Sequence, residues 1–195
     1  RQHLGKIVAG VGIIVGGTAS NAVIVLYMST YAIRQLAMPA TTALFAGVTA
    51  GLVTLIAAPI AGALSDRFGR RKLIGISYLL IATLIYPAFI LINAAPTLPT
   101  LLAVVVVLGA LNAGGGAPGI ITIAELFPAE VRATGMSVVY ALGVALFGGF
   151  GQFIVTWLIA VSGNPFAPAF YVIACCVATL TALRFTPETS GTKLI

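Results

Sequence analysis

Charge is what this sequence has least of. Only 7% of its 195 residues are charged, with ten Lys and Arg, four Asp and Glu and a single histidine, His3. Soluble domains carry about a quarter charged residues, so an ordinary water-soluble fold is excluded. Cysteine is almost as scarce. Cys175 and Cys176 are the two present, adjacent in an apolar run, where they make neither a disulfide framework nor a metal site by themselves. They read as small packed hydrophobes. One histidine near a terminus, with no G-x-S-x-G or H-E-x-x-H pattern, leaves the common hydrolase chemistries without their residues; neither an enzyme nor a cofactor is expected. The ten-residue alternation of a membrane β-barrel is missing too. So is a signal-peptide cleavage pattern: the chain opens Arg1-Gln2-His3-Leu4 without a Met, which fits an excerpt of a longer protein.

What is there is apolar. Hydrophobic residues make up 60% of the chain, and the mean hydropathy is +1.14. Runs of about 20 apolar residues cross a bilayer as helices. Six such spans can be drawn, at about 7–33, 41–64, 73–92, 100–126, 133–161 and 169–185, separated by polar or Pro/Gly turns. The expected fold is an all-α membrane protein with one six-helix transmembrane domain.

The net charge of +6 would point to nucleic acid in a soluble protein. Here the cations lie at segment ends, where they set topology and meet anionic lipid headgroups, so no nucleic-acid partner is expected. With the amino terminus in the cytoplasm and six crossings, Arg1, Lys6, Arg67, Arg70, Arg71, Lys72, Arg132, Arg184 and Lys193 fall inside. Arg34 alone falls outside, so nine of the ten cations share one face, as positive-inside topology requires. Both termini are then cytoplasmic. Asp66, Glu125, Glu130 and Glu188 all sit at cytoplasmic ends, which leaves no mid-membrane proton carrier.

Glycine is abundant, at 22 residues. The pairs Gly12/Gly16, Gly47/Gly51 and Gly115/Gly119 have G-x-x-x-G spacing, which allows close helix approach within a bundle or between copies. The run Gly114–Gly119, with Pro118, and the glycines at 143, 148, 149 and 151 soften spans four and five. Softened helices either line a cavity or are simply kinked. Polar residues inside spans give the cavity candidates. Ser20, Tyr27, Tyr31 and Arg34 share one helical stripe in span one, with Asn21 beside it; Asn112, Tyr140 and Gln152 are isolated in spans four and five. Each has a competing role, as an interhelical hydrogen bond or, for Tyr31 and Arg34, as an interfacial anchor.

Three motifs lie on the cytoplasmic side. Gly62-Ala63-Leu64-Ser65-Asp66-Arg67-Phe68-Gly69-Arg70-Arg71-Lys72 is a dense basic cluster between two spans. Glu125-Leu126-Phe127-Pro128-Ala129-Glu130-Val131-Arg132-Ala133-Thr134-Gly135 follows span four; Pro128 ends a helix there, and Arg132 can pair with the two glutamates. Pro187-Glu188-Thr189-Ser190-Gly191 follows span six.

The first motif resembles the loop signature of the major facilitator superfamily of secondary transporters. The second resembles the E-x-F-P-x-x-x-R-x-x-G loop of several facilitator families. The third resembles the P-E-T-x-G tail of sugar-type and metabolite:proton symporters. Together they make the chain similar to the carboxyl-terminal six-helix half of a facilitator, most like the bacterial metabolite:proton symporters. The resemblance implies alternating-access transport of a small metabolite. Arg34, the one cation on the outer side, suggests an organic acid or zwitterion as that metabolite, since a guanidinium there can hold a carboxylate bidentately. It also implies proton coupling, a bacterial inner-membrane location and a missing amino-terminal six-helix half. In that scheme Gly62, Asp66, Arg67, Gly69, Arg70, Arg71 and Lys72 form a cytoplasmic gate motif, while Glu125, Pro128, Arg132 and Gly135 form the second cytoplasmic loop. The alternative for Asp66 is a cap on the third span. The alternative for the whole chain is a non-transporting six-span subunit or an oligomeric channel.

Overall fold

The computed structural model describes residues 4–186 and 188. Arg1, His3, Pro187, Thr189, Ser190, Gly191 and Lys193 therefore lie outside the described residues. Six helices are long and apolar enough to span a membrane: α1 Leu4–Arg34, α2 Ala40–Phe68, α3 Arg70–Ala94, α4 Leu98–Leu126, α5 Arg132–Ser162 and α6 Ala167–Arg184. Helix is the natural answer here, because lipid offers no hydrogen bonds and each backbone group must be satisfied within its own segment.

The turns follow local chemistry. Pro39 precedes α2, and Thr97 caps α4 by accepting from the Thr100 N–H, with Pro99 in the first turn. The basic stretch expected as a turn is nearly all helix. Asp66–Phe68 close α2, Arg70 opens α3, and only Gly69 lies between, at φ 97°. That left-handed backbone favours glycine. A Cβ at Gly69 would also meet the Glu188 carboxylate at 3.1 Å.

The core lies among α1, α3, α4 and α6. The broadest contacts join α2 to α4, α3 to α4, α1 to α6 and α3 to α6. Ile13, Ile24, Ile74, Ile81, Ile85, Phe89, Val105 and Leu108 are buried there. Helices α2 and α5 stand apart: 17% and 11% of their apolar windows are buried, against 56% for α1. Their outward side chains include Leu55, Ile56, Phe153 and Val161. A soluble monomer does not expose so much apolar surface. Lipid or protein covers it.

Close approach is concentrated at glycines. A Cβ on Gly12 or Gly16 would collide with Ala182 or Thr179 of α6, so this pair serves packing within the bundle; Gly51 has nothing within 4 Å. Thr179 enters α1 at that point. Its hydroxyl accepts from the Gly16 N–H at 2.8 Å and donates to the Gly12 carbonyl at 2.7 Å, bridging the two groups of one helical rung. Two π-helical segments, Asn21–Tyr27 in α1 and Val144–Gly149 in α5, touch each other across the bundle. The second begins the softened glycine region of span five; the first has no glycine to announce it.

The Thr179 bridge gives a stability prediction. Thr179→Val keeps the shape but removes both hydrogen bonds, and should lower stability in detergent micelles by about 1 kcal/mol, the scale of interhelical hydrogen bonds in membranes. Thr179→Ser should hold the wild-type melting temperature to within a degree or two.

Candidate functional site

Helices α1, α2, α4 and α5 surround a cavity of about 540 Å³. That size suits a small-molecule site. Its wall is mostly aliphatic, with Thr18 and Asn21 from α1, Thr54 from α2, Asn112 from α4 and Tyr140 from α5 as polar members; Tyr78 reaches it from α3. None of the lining residues is an acid or a base. Thr18 and Thr54 donate to carbonyls of their own helices, to Ile14 and Val15 at 3.1 Å and to Ala50 at 2.8 Å, keeping oxygen lone pairs for other donors. Both π segments border the cavity, through Asn21, Ala22 and Leu26 on one side and Val144, Gly148 and Gly149 on the other. π-Helical turns of this kind occur frequently at functional sites.

Of the eight sequence-derived cavity candidates, the structure brings Asn21, Asn112 and Tyr140 to the wall. The span-one stripe turns the other way. Ser20 is fully buried with its Oγ 3.7 Å from Cys176 Sγ of α6. Tyr27 is buried in the core beside Tyr31. Tyr31 donates to the Pro165 carbonyl at 3.0 Å, accepts from Asn93 at 2.8 Å, and sets its ring edge-on to Phe89. The contacts of Ser20 and Tyr31 thus tie α1 to α3, to α6 and to the turn before α6. Arg34 is exposed in the last turn of α1, and Gln152 is exposed on α5; neither lines the cavity. Helical spacing tells which residues share a face, but not whether that face meets a helix or a void. Asn21, adjacent to the stripe, is the residue that meets the void. Thr18, Thr54 and Tyr78 also meet the void, and nothing in a uniformly apolar span marks them in the sequence.

At the end of the bundle that carries the basic motif the charges converge. Arg70, the first residue of α3, pairs with Glu125 near the end of α4 and with Asp66 at the end of α2 at 3.2 Å. The Arg70 and Glu125 side chains are 12% and 7% exposed, that of Asp66 63%. Glu188 sits at the amino terminus of α3. Its Oε1 accepts from the Arg70 N–H at 3.0 Å and its Oε2 from the Arg71 N–H at 3.2 Å. The helix-capping place considered for Asp66 is thus held by Glu188. A carboxylate there meets unpaired N–H groups and the positive end of the helix dipole.

The second loop is also rearranged from its sequence reading. Arg132 Nε donates to the Phe127 carbonyl at 3.3 Å, while Glu125 pairs with Arg70 across helices instead of with Arg132. Backbone groups at a helix end attract the nearer cation, and α3 brings its own guanidinium to Glu125. Phe127 is buried against Gly135, where a Cβ would lie 2.5 Å from its ring. Pro128 follows at the close of α4. Arg67, Arg71 and Lys72 are exposed, and Gly62 would admit a Cβ without any neighbour within 4 Å.

A sequence profile of the Major Facilitator Superfamily matches residues 9–194. The chain belongs to this superfamily. The citrate-proton symporter of Klebsiella pneumoniae is 31% identical over 189 residues, covering 96% of the chain and 42% of that protein. The ectoine/proline transporter ProP of Corynebacterium glutamicum is 27% identical, covering 100% and 38% respectively. The glycine betaine/proline/ectoine/pipecolic acid transporter OusA of Dickeya dadantii is 26% identical, covering 99% and 38%. The chain therefore spans about two-fifths of the length of these relatives. Members of the superfamily are transporters built from two six-helix halves, not enzymes. The fold here, an all-α membrane bundle of six long apolar helices, is that of one half.

The ion pair yields a second prediction. Removing one partner of a buried pair strands the other charge, at a cost on the order of 3 kcal/mol. Glu125→Leu and Arg70→Met should each lower the melting temperature in micelles sharply. The double variant should recover much of that loss, as a double-mutant cycle would register.

Proposed function

We propose that this chain is the carboxyl-terminal half of a twelve-helix secondary transporter that moves a small polar metabolite, coupled to protons, by alternating access. The observation that carries the reading is the cavity. A superfamily chain lines it from four of its six helices and furnishes it with neutral hydrogen-bonding groups. In transporters of two repeats, substrate binds between the halves near the bilayer midplane. Asn21, Asn112 and Tyr140 are the candidate substrate contacts on this side. The relatives are named for citrate, proline, ectoine and glycine betaine, which are organic acids or zwitterions. The poorly buried faces of α2 and α5 are where an amino-terminal half would dock. The open surface at Gly62 leaves room for a close helix from that half.

The charged end serves as the gate. Arg70, Asp66, Glu125 and Glu188 tie together α2, α3, α4 and the segment after α6. Pairs that hold in one conformation and separate in the other bias a two-state equilibrium. The one-sided cations support a topology with this end, and both termini, on the cytoplasmic side of a bacterial inner membrane.

Two measurements test the reading. In proteoliposomes the chain alone should show no saturable uptake, and pairing with an amino-terminal half should produce proton-driven uptake; uptake by the chain alone would overturn the half-transporter assignment. Within the whole transporter, Asp66→Asn should lower turnover several-fold with expression and apparent affinity nearly unchanged, because a shift of 1.4 kcal/mol in the gating equilibrium changes populations about tenfold. Normal turnover would remove Asp66 from the gate.

A further inference from the structure

The cavity wall has an unexpected contributor. Helix α3 is not among the four that surround the cavity, yet Tyr78 of α3 is a lining residue. Its ring passes between two glycines. A Cβ on Gly17 of α1 would lie 2.5 Å from the Tyr78 hydroxyl, and a Cβ on Gly115 of α4 would lie 2.6 Å from Cζ. Any larger residue at either position would close the passage. Gly17 also lines the cavity, so the phenolic tip emerges at the wall while the rest of the side chain, 1% exposed overall, is buried. Among the described residues nothing hydrogen-bonds this hydroxyl. Membrane interiors rarely hold a tyrosine without giving its O–H a partner.

A second observation points to a ligand at the same place. Asn112 lies one helical turn from Gly115 and faces the cavity, with 7% of its surface exposed. Its Oδ1 is buried and has no hydrogen-bond partner among the described residues. Buried acceptors are nearly always satisfied, and one left unpaired destabilises the fold. The cavity thus borders an amide with unused hydrogen-bonding capacity beside a hydroxyl that can donate or accept.

We propose that Tyr78 and Asn112 form the hydrogen-bonding subsite of this half. The subsite binds a hydrogen-bonding group of the substrate, a carboxyl oxygen or a hydroxyl, through the Tyr78 hydroxyl and the Asn112 amide, both of which can donate. The inference rests on the transport reading above and adds to it a residue from outside the cavity-forming helices and the kind of group recognised. The lining residues carry no ionised side chain, so this wall reads hydrogen bonds and shape.

The test is uptake of radiolabelled citrate, proline and glycine betaine by the whole transporter in proteoliposomes, with KM and kcat separated. Tyr78→Phe keeps the ring and removes the hydroxyl. It should raise KM for the transported solute about tenfold with little change in kcat, the signature of lost binding in ground and transition states alike. Asn112→Leu should do the same. Gly115→Ala should displace the tyrosine and raise KM similarly, and its effect should vanish in a Tyr78→Phe background, since both act through one hydroxyl. Wild-type KM in Tyr78→Phe, with uptake intact, makes Tyr78 a packing residue and overturns the subsite while transport stands. Absence of uptake of all three solutes by the unsubstituted protein instead overturns the transport reading, and the subsite with it.

Discussion

A guanidinium that begins a membrane helix has to be neutralised on the spot, and Arg70 is the group on which the charged end of this bundle depends. Three cations, Arg70, Arg71 and Lys72, open α3. That is the wrong end for them, because the helix dipole already makes an amino terminus positive. Carboxylates correct the imbalance from three other parts of the chain: Asp66 from α2, Glu125 from α4 and Glu188 from beyond α6. Helix ends distant in sequence are thereby held at one point. A local rule broken and compensated by remote groups is the usual mark of a functional site. On the proposed reading this is also the point at which the assembly switches, since hydrogen bonds and ion pairs connect the segments there.

Inside the bilayer, specificity has a different source. Lipid tails and side chains are equally apolar, so burial alone does not choose partners between helices. Here glycines choose. Gly12 and Gly16 receive Ala182 and Thr179, Gly114 and Gly115 receive Ser77 and Tyr78, and Gly135 receives Phe127. Each vacancy is matched by one intruding side chain, which fixes register along the helix as well as distance. Tyr31 does the same by hydrogen bonding, joining α1 to α3 and to the turn before α6.

The same physics explains what the sequence disclosed. Six apolar runs and a basic cluster are compositional features, and they stand out without knowledge of packing. Gly69 stands out for its backbone, and the motif residues for their chemistry. The facing of each helix is another matter. An amphipathic soluble helix announces its buried side through a polar stripe; these helices are apolar all round, so Ser20, Tyr27 and Tyr31 gave a shared face without a direction. The pairing of Arg70 with Glu125 was hidden because each belongs to a separate motif and only the α3–α4 packing joins them. Tyr78 was hidden more deeply, since its route to the cavity depends on glycines in two other helices.

An uncharged cavity wall has a consequence for how transport work is divided. A cation or carboxylate facing this void would need a partner or water, and the chain supplies neither among its lining residues. Citrate and the zwitterions named for the relatives are ionised, and transfer of an ionised group out of water is strongly unfavourable without counter-charge. On the proposed reading that counter-charge, and the proton-carrying group with it, must come from the facing half. This half then contributes neutral hydrogen bonds, shape and the cytoplasmic latch. On that reading selection is separate from switching: substitutions at Asn112 or Tyr140 would act on affinity, and those at Arg70 or Glu125 on the conformational equilibrium. The two sets lie at different depths of the same α4, which runs from the cavity at Asn112 to the ion pair at Glu125. Between them stand Gly116, Pro118 and Gly119, where α4 is easiest to bend. On the proposed reading, a substrate that draws on Asn112 would act on one end of a bendable helix whose other end carries the Arg70–Glu125 pair.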